Sequence, residues 1–183
     1  SYVMGNVIHQ GPNTDNSVMV SYGAEGLSNP INELYISGNT LVNDRTSGTF
    51  VRTQTGSTAK LVNNIFAGPG TVLNGPGSMK TNLNSTSDPG FVDWPNYNFT
   101  LKSTATGAID QGSAPGTGHG YDLTPTHQYV PNANEGPRPV NGALDIGAYE
   151  YTPAVPELCS TSIILLCCLM IPAVVIWRFR RGH

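Results

Sequence analysis

The sequence predicts an all-β solenoid of stacked parallel coils, closed by a non-repeating module and followed by one transmembrane α-helix. Three observations carry this expectation: a short motif recurs three times without gaps, turn-forming residues dominate the composition, and an uncharged run of twenty residues lies near the C-terminus.

The motif comes first. Ser1-Tyr-Val-Met-Gly-Asn-Val-Ile-His9, Leu34-Tyr-Ile-Ser-Gly-Asn-Thr-Leu-Val42 and Ala59-Lys-Leu-Val-Asn-Asn-Ile-Phe-Ala67 align residue for residue. Each places an aliphatic residue (Val3, Ile36, Leu61), then Gly or Asn, then Asn (Asn6, Asn39, Asn64), then a large apolar residue two positions on (Ile8, Leu41, Phe66). Short β-branched runs without a 3.6-residue period read as strands, and self-similarity at a period of tens of residues reads as stacked coils. Asn tolerates the left-handed backbone of a sharp bend, as does the Gly that twice precedes it. In a stack, Asn6, Asn39 and Asn64 should superpose as a structural ladder of hydrogen-bonded amides, with Val3, Ile36 and Leu61 stacked inside. Unequal spacing suits a solenoid, whose surplus residues, here 11–30 and 44–56, are expected to emerge as loops.

Composition narrows the function classes. Only 11% of the 183 residues are charged, while Gly (21) and Pro (14) are abundant, which disfavours a charge-rich helical bundle. A 38% hydrophobic content supports one packed core but not a bundle of membrane helices. The net charge is −3, and three of the nine basic residues fall in the last six positions, so residues 1–177 hold six basic against twelve acidic groups. Nothing there neutralises a row of phosphates, and no nucleic-acid partner is expected. The three cysteines (Cys159, Cys167, Cys168) all lie in the apolar tail, which leaves the preceding residues without a disulfide or a Cys-based zinc site.

Downstream, a series of short signatures adds a resemblance. Asn63-Asn64-Ile65-Phe66 is followed by Asp88-Pro89-Gly90-Phe91, Tyr97-Asn98-Phe99-Thr100-Leu101, Gly107-Ala108-Ile109-Asp110-Gln111-Gly112, Gly136-Pro137-Arg138-Pro139 and Asp145-Ile146-Gly147-Ala148-Tyr149-Glu150. In this order, over roughly residues 60–151, the chain resembles the terminal region of choice-of-anchor Q proteins. These are bacterial surface proteins with the right-handed parallel β-helix fold of pectate lyases. The resemblance implies that the chain holds the C-terminal coils of a right-handed parallel β-helix solenoid (1–93) and its closing cap (94–151), with further coils upstream of Ser1. Thr106-Gly107 stands where the family has Ser-Pro.

The charged residues of that module read as structural. Arg138 is expected to form a fork-shaped cap ion pair with Asp145 or Glu150, pinning the last loop across the open end of the stack, where unpaired backbone and apolar residues would otherwise face water. No catalytic residue is assigned, and no cofactor or metal is expected. His9, His119 and His127 are scattered and read as solvated loop residues, and Gly116-Thr-Gly-His-Gly120 lacks the Lys-Ser/Thr of a phosphate loop. Tyr2 and Tyr35 share one repeat position on the outer face of one sheet, a possible sugar-stacking pair that Lys60 interrupts in the third coil.

The tail follows a linker at 152–157. Residues 158–177 carry no charge, and twenty residues in a helix span about 30 Å, the thickness of the hydrocarbon layer. Trp177 stands at the interface, and Arg178, Arg180 and Arg181, in the basic tail 178–183, hold the C-terminus on the cytoplasmic side. Pro156-Glu157, the apolar run and the Arg cluster together resemble the sorting tails (PEP-CTERM) that exosortases process, with Leu158 replacing the second Pro. Exosortase, membrane and polysaccharide are therefore the partners to expect. The sequence points to an exported module at the cell surface, structural or adhesive and in contact with polysaccharide. The alternative is the end of an anchored polysaccharide lyase or glycoside hydrolase whose catalytic coils lie upstream.

Overall fold

The computed structural model describes residues 1–130, 134–139 and 141–153, and Ser1–Thr152 forms one compact unit. It is all-β, with parallel strands stacked in sheets, as in a β-solenoid. The first coil lays down β1 (Tyr2–Met4), β2 (Val7–Gln10) and β3 (Val18–Tyr22). The second adds β4 (Glu33–Ser37), β5 (Thr40–Asn43) and β6 (Thr49–Thr53), and the third β7 (Thr58–Val62), β8 (Ile65–Ala67) and β9 (Thr71–Asn74). A fourth contributes β10 (Gly77–Lys80) and β11 (Leu83–Ser85). Like strands pair with like: the first sheet is β1-β4-β7-β10, the second β2-β5-β8-β11 and the third β3-β6-β9, and every pairing is parallel.

The third sheet corrects an expectation. Residues 11–30 and 44–56 are not merely loops, because β3 and β6 lie within them and pair Val20 with Val51. Val18-Met19-Val20 and Phe50-Val51 are β-prone apolar runs, and burying them outweighs the turn chemistry on either side.

Register places Val3, Ile36, Leu61 and Met79 in one column and Ile8, Leu41 and Phe66 in another. Both columns point into a core of Leu34, Ile36, Leu41, Phe50, Val51, Ala59, Leu61 and Phe66. Within it the rings of Phe50 and Phe66 meet edge to face, with centroids 5.4 Å apart. Ile36 and Leu61 are fully buried, whereas Met79 in the last coil is 54% exposed. Each inner aliphatic side chain contributes about 1.5–3 kcal/mol by burial.

The two central strands of the second sheet, β5 and β8, are buried on both faces, and neither shows the apolar-polar alternation of a half-exposed strand. Its outer side chains, Val42, Ile65 and Ala67, pack under a second cluster formed with Phe91, Phe99, Leu101, Ala105, Ala108, Ile146, Ala148 and Tyr149. That cluster belongs to the closing module, built from β12 (Phe91–Asp93), a 3-10 turn (Trp94–Asn96), β13 (Asn98–Leu101), β14 (Thr117–Gly118), β15 (Tyr121–Asp122), β16 (His127–Val130) and β17 (Asn134–Pro137), in three antiparallel pairs. Parallel stacking ends at Ser85, and β12 pairs with β13 across the 93/94 boundary expected from sequence.

The helix expected at 158–177 lies outside the described residues, as do Pro156, Glu157, Arg178, Arg180 and Arg181. Among the described residues no helix is long and apolar enough to cross a membrane.

Candidate functional site

The corner between the first and second sheets organises the molecule. There Asn6 donates through Nδ2 to Asn39 Oδ1 (3.3 Å), Asn39 to Asn64 Oδ1 (3.0 Å) and Asn64 to Asn82 Oδ1 (2.9 Å). Each Oδ1 also accepts the backbone N–H of the Asn one coil earlier, at 2.9 Å in all three steps. The remaining amide protons of Asn39 and Asn64 go to carbonyls of the first sheet, Val3 and Ser37 for one and Ile36 and Val62 for the other.

Left-handed backbone falls not on the ladder residues but on those before them: Gly5 (φ 69°), Gly38 (60°), Asn63 (55°) and Thr81 (52°). The bend and the ladder are thus divided between two adjacent residues. Gly38 is doubly constrained, because a Cβ there would lie 2.6 Å from Pro125 Cγ. Asn82 is a fourth rung that the motif did not reveal. Asn84 stands where the other coils place Ile8, Leu41 and Phe66, and the step from Asn64 is only 18 residues.

The closing module lies along the flank of the stack, not across its end as expected. Gly147 N–H donates to Asn63 O (2.8 Å) and Ala148 N–H to Thr40 Oγ1 (3.0 Å). Asn63 grips Ser113 through both polar ends of its amide, at 2.6 and 3.0 Å. The physical reason is the second sheet, whose apolar outer face needs a cover along its whole length.

Arg138 holds the module together from inside. Its Nε pairs with Glu150 Oε1 at 2.8 Å, and its Nη atoms donate to the carbonyls of Gly147 (2.9 Å) and Asp145 (3.1 Å). Both charged side chains are almost fully buried. The carboxylate of Asp145 faces elsewhere, accepting the N–H of Asp110 (2.7 Å) and of Tyr151. Burial pushes the Glu150 carboxyl above its ordinary value, against the pull of the guanidinium and the N–H of Asp145.

His9 also departs from expectation. It is a half-buried strand residue, with Nε2 2.7 Å from Asp44 Oδ2, and Asp44 Oδ1 in turn accepts Trp94 Nε1–H at 2.8 Å. Two coils and the closing module meet in that chain, with Tyr97 and Phe99 packed beside the imidazole. Nothing in the spacing of residues 9, 44 and 94 marks it. His119 and His127 are exposed.

On the outer face of the first sheet, Tyr2 and Tyr35 stack, with centroids 5.2 Å apart and planes 16° from parallel. Tyr121 meets Tyr2 edge-on at 5.4 Å. The strand at Gly118 crosses directly over this pair: Tyr2 Oη donates to Gly118 O (2.9 Å), and a Cβ on Gly118 would fall 2.6 Å from the Tyr35 ring. Lys60, next in the column, donates Nζ–H to Pro115 O (2.8 Å). Beside the tyrosines stands Glu33, two residues before Tyr35 and therefore on the same face. Its carboxylate accepts the Tyr35 hydroxyl, a bond that, with burial, pushes that phenol up to about 12. Among the described residues there is no group of three or more His, Cys, Asp or Glu placed to hold a metal ion.

Comparison with protein-family models, with curated proteins and with solved structures found no match.

Proposed function

We propose that this chain is the closing end of a right-handed parallel β-helix displayed at the cell envelope, a structural or adhesive module that contacts polysaccharide. The observation that carries the reading is the coil stack itself. Identical side chains are zipped in register along one corner, and a separate module is bound along the flank, an arrangement suited to a stiff, protease-resistant stalk. The right-handed crossover that parallel strands favour, and the order of signatures shared with choice-of-anchor Q proteins over residues 60–151, support the same assignment. Residues 158–183 serve as its membrane tether, with Pro156 and Glu157 as the region an exosortase engages.

The test is fractionation of the exported full chain against one truncated before residue 158. The full chain is expected in the membrane fraction, accessible to protease added outside intact cells, and the truncated chain in the medium. Identical fractionation of the two would contradict the tether. A full chain degraded as fast as an unfolded control would contradict the stalk.

A further inference from the structure

Glu33 is the shared floor of three adjoining hollows on the outer face of the first sheet, and their lining specifies a ligand. The first, about 220 Å³, lies among Tyr2, Ile31, Tyr35, His119 and Tyr121. The second, about 160 Å³, runs past Thr58, Lys60 and Ser78, and the third, about 370 Å³, past Asn32, Ser57 and Thr58. Glu33 lines all three. They crease the surface across all four coils, a span of about 14 Å at the usual spacing of neighbouring strands.

The trough offers acceptors and hydrophobic faces. Glu33 takes one hydrogen bond from Tyr35, to Oε2, and among the described residues no donor engages Oε1. Asn32 is held by the bond from its Nδ2 to Asn29 O (2.9 Å), and its Oδ1 is turned away from solvent, which leaves Glu33 Oε1 as the carboxylate acceptor facing the trough. Tyr121 (66% exposed) and Ile31 (47%) stand at the rim as apolar platforms. Two ammonium groups line the hollows, that of Lys60, which donates to the Pro115 and Thr117 carbonyls, and that of the Ser1 N-terminus, which donates to Glu33 O (2.9 Å).

We infer that this trough binds a neutral, hydroxyl-rich oligosaccharide, whose hydroxyls donate to the free carboxylate oxygen of Glu33 while a ring face lies against Tyr121. A uronate would bring its own carboxylate beside that of Glu33, and the two nearby ammonium groups are already directed to backbone carbonyls, so a neutral glycan is favoured over an acidic one. This inference rests on the proposal that the module contacts polysaccharide, and it names the class of glycan.

The experiment is titration calorimetry of the full chain with neutral oligomers of glucose and of N-acetylglucosamine, and with oligogalacturonate, on the unmodified chain and the Glu33→Gln, Tyr121→Ala and Tyr97→Ala variants. Matched melting curves establish that each variant is folded. At least one neutral oligomer is expected to bind, with affinity falling about tenfold or more in Glu33→Gln and in Tyr121→Ala and unchanged in Tyr97→Ala, whose ring is exposed elsewhere. If oligogalacturonate binds and Glu33→Gln strengthens it, the neutral class is overturned while polysaccharide contact stands. Neutral binding that ignores both substitutions would overturn the site. If no oligomer of either kind binds, the contact reading fails and this inference with it.

Discussion

The coil stack and the closing module solve the same problem, covering apolar sheet surface, by opposite means. In the stack every contact is a repetition: Ile36 lies on Leu61 as Val3 lies on Ile36, and Asn39 bonds Asn64 as Asn6 bonds Asn39. In the closing module every contact occurs once, and one guanidinium holds together a segment with little regular pairing of its own. The contrast teaches where each region is vulnerable. Damage to a rung is shared with its neighbours above and below, whereas damage at Arg138 has no neighbour to share it.

The largest expected effect follows from that difference. Arg138→Met leaves Glu150 buried without its counter-charge and strands the carbonyls of Gly147 and Asp145, a loss of about 3–5 kcal/mol. Hydrogen exchange should show residues 90–151 opening while β4, β5, β7 and β8 stay protected. Simultaneous loss of protection in both regions would show that the stack and the closing module unfold as one unit. Asn64→Ala comes next. It removes a buried amide with three acceptors and two donors, which costs about 3 kcal/mol in denaturant unfolding, against less than about 1 kcal/mol for Asn6→Ala at the exposed end of the ladder. Equal losses at the two positions would mean that the rungs do not differ with depth.

Gly118→Ala sets a methyl against the Tyr35 ring, and the crossing strand must lift, at about 1–2 kcal/mol. The melting temperature should fall by a few degrees and be restored by Tyr35→Ala, a double-mutant coupling that a purely local backbone effect would not give. The smallest effect is one of pH. Since the fold favours the neutral phenol of Tyr35, the contribution of the Tyr35–Glu33 bond is complete below pH 10 and is lost as pH rises toward about 12. Tyr149, raised to about 12 first by burial, should titrate equally late. A phenolate absorbance titration is expected to lose one late-ionising tyrosine in Tyr35→Phe; an unchanged late phase would contradict the bond.

What was legible in the sequence divides along the same line. Val3, Ile36 and Leu61 could be aligned because stacking like on like forces similar residues to recur, and Asn6, Asn39 and Asn64 stood out because each rung of the ladder needs the same amide. The fourth rung escaped because Met79 and Asn84 face the exposed end, where selection for an apolar core residue relaxes. The third sheet escaped because β3, β6 and β9 share no marker residue at a fixed turn. In the closing module the partners of Arg138 were narrowed to two carboxylates, but position along the flank rather than over the end could not be read. That depends on the outer side chains of the second sheet, which a motif centred on the inner ones ignores. The trough needed Tyr121 brought beside Glu33 from a distant segment, and only the Glu33-Tyr35 pair, two residues apart on one strand, carried any sequence signal.

The asparagine ladder is what joins coil to coil, and exchange of its side-chain amide protons reports on that joint. In nitrogen-15 labelled protein at neutral pH, the Nδ2 protons of Asn39 and Asn64 should exchange at least a hundredfold more slowly than those of an exposed asparagine, with Asn6 and Asn82 at the ends intermediate. Exchange of Asn39 and Asn64 at the rate of a free side chain would show that the coils are not joined through these amides.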